Sequence, residues 1–79
     1  MTPSFRLSQL PAGSRAEIRA VAGHPAFRGR MLALGITPGA PLLLIRRMPM
    51  GGPLEIEVRG TRIALRMVDA DRITVAMRA

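Results

Sequence analysis

Seventy-nine residues leave room for one domain, residues 1–79, with a small core. The absence of cysteine excludes disulfide staples and thiolate metal sites, and 48% hydrophobic content excludes a disordered chain. Twelve basic residues, all arginine, face five carboxylates for a net charge of +7, which invites a nucleic-acid or anionic-membrane partner, while two phenylalanines as the only aromatics disfavour base stacking.

Residues 1–13 carry Phe5, Leu7 and Leu10 and predict an apolar strap tucked over the core. Residues 15–21 alternate: Ala16, Ile18 and Ala20 on one face, Arg15, Glu17 and Arg19 on the other, the signature of a half-buried strand. Pro25 then suits the first turn of a helix. Phe27, Met31 and Leu34 follow at i, i+4 and i+7, and Gly35 fits the left-handed residue that ends a helix. Thr37-Pro38-Gly39-Ala40 has the order of a type II turn.

Residues 41–48 form the most apolar strand. Leu42 and Leu44 face one way, Leu43 and Ile45 the other, so the second face is buried or offered to a partner. Pro49 to Pro53 read as a hairpin loop. Residues 54–59 alternate cleanly with Leu54, Ile56 and Val58 inward. A tight turn is expected at Gly60-Thr61, then a strand with Ile63 and Leu65 inward, a 3₁₀ turn over residues 68–71, and a last strand with Ile73, Val75 and Met77 inward. The pattern is five short strands with one short helix between the first and second. It predicts a small barrel or sandwich whose corners are glycine turns. The inward set is Ile18, Leu42, Leu44, Ile56, Val58, Ile63, Leu65, Ile73 and Val75.

The chain offers no catalytic constellation. His24 is the single histidine, so a histidine metal pair is excluded, and it sits in a loop beside Pro25. Glu55 and Glu57 share one strand face, where pairing with Arg46 or Arg66 is the simplest role. Asp69 and Asp71 fit turn capping. Gly51-Gly52 lacks the lysine and serine of a phosphate cradle. No catalytic residue, metal ligand set or cofactor is assigned.

The run Arg30-Met31-Leu32-Ala33-Leu34-Gly35-Ile36-Thr37-Pro38-Gly39 resembles the "RL-x-x-LG-[ILM]-x-PG" signature of the FeoA family, with Met31 in place of leucine. Pro49-Met50-Gly51-Gly52-Pro53 is similar to its "P-x-G-x-P" loop. Gly60 with Ile63-Ala64-Leu65-Arg66 is similar to its "G-x-x-[IL]-A-L-R" strand, and Ala70-Asp71-Arg72-Ile73-Thr74-Val75 to its closing motif. The resemblance spans nearly the whole chain. It implies a mainly β, SH3-like barrel, cytoplasmic, with an accessory role in bacterial ferrous iron uptake and no enzymatic activity. The implied partner is the cytosolic GTPase region of the FeoB membrane transporter. Two other readings stay open: a nucleic-acid-binding SH3-like barrel, and a regulatory module of the iron-dependent repressor type.

For partner contact the sequence nominates Leu43 and Ile45, rimmed by Arg46 and Arg47, because an apolar centre with an arginine rim is the usual anatomy of an interface. Arg28, Met31 and Leu32 on the helix form the competing face. Weak self-association is left open.

Overall fold

The computed structural model describes residues 3–78. The first two residues of the expected strap and the last residue of the chain lie outside that range. Strand β1 (Ser4–Arg6) leads into a 3₁₀ turn at Leu7–Gln9. Strand β2 (Arg15–Val21) and helix α1 (Pro25–Ala33) follow. Next come β3 (Pro41–Arg47), β4 (Leu54–Val58) and β5 (Thr61–Leu65). A single helical turn, α2 (Met67–Ala70), precedes β6 (Ile73–Met77). The strands form one antiparallel sheet ordered β1-β6-β2-β3-β4-β5. Among the described residues no helix is long and apolar enough to cross a membrane.

Among the described residues there are six strands rather than five. The extra one, β1, pairs Ser4 with Ala76, Phe5 with Val75 and Arg6 with Thr74. All three of its residues are exposed, so backbone pairing holds it and no alternation of burial announces it. The strap expectation survives just downstream, where Leu7 and Leu10 are buried over the core. The Ser8 hydroxyl donates to Asp71 Oδ1, and Arg47 Nη1 donates to the Leu10 carbonyl at 2.6 Å.

All nine residues expected to point inward are buried. One departure inside a strand is caused by a β-bulge. In β2 the register shifts between Ile18 and Ala20, so Arg19 is the extra residue and parity reverses after it. Ala20, expected inward, is exposed, and Val21 turns to the core instead. Met77, also expected inward, is 42% exposed, while Ala76 is buried in its place. The β4–β5 turn falls on Arg59-Gly60 rather than Gly60-Thr61. Both residues have positive φ, 53° and 79°, as a two-residue type I′ hairpin requires. The expected 3₁₀ turn after β5 is instead the helical turn α2.

The helix behaves as its sequence suggests, except at its end. Phe27 and Met31 are buried, but Leu34 is 41% exposed, because it is the cap residue where the chain leaves the helix. Gly35 at φ 88° closes a Schellman motif: the Ile36 amide donates to the Met31 carbonyl at 2.9 Å and the Gly35 amide to Leu32 at 3.0 Å. The guanidiniums of Arg30 and Arg72 lie 5.7 and 5.2 Å from the Phe27 ring centre, so the buried ring is lidded by two cations.

The β3–β4 loop holds a residue in an uncomfortable place. Met50 has φ 61° and is fully exposed, so a side chain with no packing reward occupies a left-handed position. Met50→Gly is expected to stabilise the fold by about 0.5–1 kcal/mol, the left-handed penalty less the added entropy of glycine. A lowered melting temperature would contradict this.

Candidate partner-binding surface

The strand β3 carries the nominated residues, and its register decides where they point. Leu43 is half-buried on the outer face, opposite Arg15 on one side and Glu57 on the other. The pairing continues Leu44 with Ile56, then jumps to Arg46 with Glu55 and Arg47 with Leu54. Ile45 is therefore the bulged residue, half-buried, and parity reverses after it. Strict alternation after Leu42 and Leu44 would have turned Arg46 toward the core. The bulge turns Arg46 outward, where its Nε lies 2.9 Å from Glu55 Oε1.

Arg47 is turned to the opposite side, the side of Leu54. There it binds the Leu10 carbonyl and lies 3.9 Å from the Met67 sulfur. It clamps the strap onto the sheet. The two arginines expected to form one rim are thus divided between a surface ion pair and a clamp on the strap.

The helix face divides in the same manner. Arg28 is exposed and Leu32 is 64% exposed, both available for contact. Met31, nominated beside them, is 2% exposed. It belongs to the core because it continues the stripe begun by Phe27, one turn earlier.

A recess that the sequence reading missed lies against Leu43. It has a volume of about 400 Å³ and is lined by Arg15, Pro41, Leu42, Leu43, Glu57, Arg59 and Arg78. Arg15 arrives as the outer-face neighbour of Leu43. Arg78 arrives because its amide donates to the Arg15 carbonyl at 2.9 Å. Arg59 leans in from the β4–β5 turn, with its Nη2 held by Thr37 Oγ1 at 3.2 Å. The outward alternation of Arg15 was legible in the sequence, but these three arginines meet only through cross-strand register. Among the described residues no group of three histidine, cysteine, aspartate or glutamate side chains is placed to hold a metal ion.

Comparison with known proteins places this geometry. The family model described as "FeoA domain" matches residues 5–77. An Fe(2+) transport protein A/Fe(2+) transporter FeoB fusion protein of Porphyromonas gingivalis is 32% identical over 73 residues. The match takes in 92% of this chain but only 9% of that protein. The solution structure of the FeoA protein of Chlorobium tepidum is 41% identical, with a TM-score of 0.89 over 95% of this chain and 71% of that one. The FeoA of Stenotrophomonas maltophilia, crystallised with zinc and described as a procaryotic SH3 domain protein, is 33% identical. Its TM-score is 0.76 over 95% of this chain and 88% of that one. The mainly β, SH3-like architecture expected from the sequence is therefore the observed one, as an open sheet whose two edge strands are not paired with each other.

Proposed function

The chain belongs to the FeoA domain family, and on that premise we propose that it is a non-catalytic accessory protein of ferrous iron uptake. It acts in the cytoplasm by contact with the cytosolic GTPase region of an FeoB transporter. The observation that carries this reading is the fusion protein, in which a segment 32% identical to this chain is covalently joined to an FeoB transporter. A covalent link raises the local concentration of one domain at the other and is useful where the two work in contact. The absence of a phosphate cradle in the sequence agrees with a role exercised through binding rather than chemistry.

The contact centres on the outer face of β3. Leu43 and Ile45, both half-buried, supply apolar area, and Arg46 supplies charge at the margin. Binding of the purified chain to the FeoB cytosolic region, followed in real time, tests this. Arg46→Glu is expected to slow association. Leu43→Gln is expected to raise the dissociation rate by about 5- to 100-fold, the range of a hot-spot residue. No association by the parent chain at tens of micromolar would overturn the reading. Unchanged kinetics for a folded Leu43→Gln variant would remove that face from the contact.

A further inference from the structure

We propose that the recess beside Leu43 is a docking groove for an acidic, extended protein segment that carries an apolar side chain between carboxylates. The inference rests on the partner reading and names what the partner presents. Among the described residues four arginines, Arg19, Arg46, Arg62 and Arg66, have carboxylates within 4 Å. The three that line the groove, Arg15, Arg59 and Arg78, have none among the described residues. Of the eight arginines without such a carboxylate, three thus meet at one concave surface, beside the apolar side chains of Pro41 and Leu43.

The arrangement is specific in its chemistry. Leu43 and Arg15 are direct cross-strand neighbours, so their side chains leave the same face with Cβ atoms about 5 Å apart. Arg59 is fixed by Thr37 and stacks its Cδ over Gly35, where an added Cβ would approach it to 3.3 Å. A guanidinium held in this manner loses little freedom when it meets a carboxylate. An extended segment places alternate side chains about 6.6–6.8 Å apart on one side. One apolar residue can then face Leu43 while flanking carboxylates reach the arginine walls. Nucleic acid fits less well, because the groove has no aromatic side chain for a base to stack on, whereas a peptide can set its apolar residue on Leu43 and keep its carboxylates clear of Glu57.

The probe is a capped peptide with one leucine between two pairs of glutamates. It is titrated into the isotope-labelled chain and into an Arg15→Glu/Arg78→Glu variant, and both proteins are measured against the FeoB cytosolic region. Both substituted side chains are exposed, so an unchanged melting temperature verifies folding, and Arg78→Gln serves as a milder second variant. We expect amide shifts at Arg15, Leu43 and Arg78, binding that weakens as salt shortens the screening length, and about tenfold weaker peptide and FeoB binding by the double variant. Peptide shifts elsewhere on the surface, equal peptide affinity in parent and variant, or tighter occupation of the same residues by a short DNA duplex would overturn the groove. If the parent captures the peptide in the groove but not FeoB, the groove stands and the partner reading falls. If parent and variant bind FeoB equally, the partner reading stands and the groove falls.

Discussion

Leu44→Ala is expected to lower the unfolding free energy by about 2–5 kcal/mol. Leu44 is 0% exposed at the centre of β3, and it is locked from both sides. Its carbonyl accepts from the Gly13 amide at 2.7 Å and its amide donates to the Ser14 carbonyl at 2.9 Å. On the other side it faces Ile56 across the β3–β4 ladder. The walls are therefore held by backbone pairing and close poorly around a missing isobutyl group. A domain of this length has roughly 4–12 kcal/mol of stability in total, at ~0.05–0.15 kcal/mol per residue, so the loss is a large share of it. Val58→Ala and Leu65→Ala act through the same loss at 1% and 3% exposure. Leu32→Ala, at 64% exposure, serves as the reference and should shift the urea midpoint little. A Leu44→Ala midpoint equal to the reference would show that the core is centred elsewhere.

The second large effect is a contrast between adjacent residues. Arg47→Glu removes a charged donor from the Leu10 carbonyl and sets a carboxylate against it, which costs about 1.5–3 kcal/mol. The strap is then loosened at Leu10, where Ser8–Asp71 and the pairing of β1 no longer have Arg47 to support them. Arg46→Glu breaks only an exposed ion pair with Glu55, worth about 0–1 kcal/mol. Amide exchange should separate the two: protection falls at Leu7 and Leu10 in the first variant and stays intact in the second. Equal loss in both would mean that Arg47 does not fasten the strap.

Residue by residue, the sequence is legible where alternation runs unbroken. The strand from Leu54 to Val58 alternates without a bulge, and every inward assignment there is met. So is Gly35, since a positive φ at a helix end asks for glycine in any context. Legibility fails at Arg19 and Ile45, where one inserted residue reverses every side chain that follows. That reversal turns Arg46 outward and Arg47 to the side of Leu54, the opposite of what strict alternation gives, and it turns Ala20 outward. It fails at β1 as well, because a strand held by its backbone alone writes nothing in its side chains. On the binding surface, Leu43 was found from excess apolarity on the outer side of a strand. Its arginine neighbours come from β2, the β4–β5 turn and the residue after β6, an assembly that only register reveals.

The pairing order has a bearing on how the chain comes to be folded. Strands β3, β4 and β5 are joined by short hairpins, so they form a local meander with little chain to close. Strand β2 instead waits for β6, pairing Ile18 with Val75 across most of the sequence, and β1 waits for the same strand. During synthesis β1 therefore emerges with its partner not yet made, β2 has β3 alone to pair with, and the sheet is completed only when β6 leaves the ribosome. The local meander closes at the smaller entropic cost and is expected to form the folding nucleus, with the β6 pairings added after the barrier. Substitutions at Ile63 should slow folding, while those at Ile18 should mainly speed unfolding, a division that stopped-flow kinetics of the two alanine variants would expose.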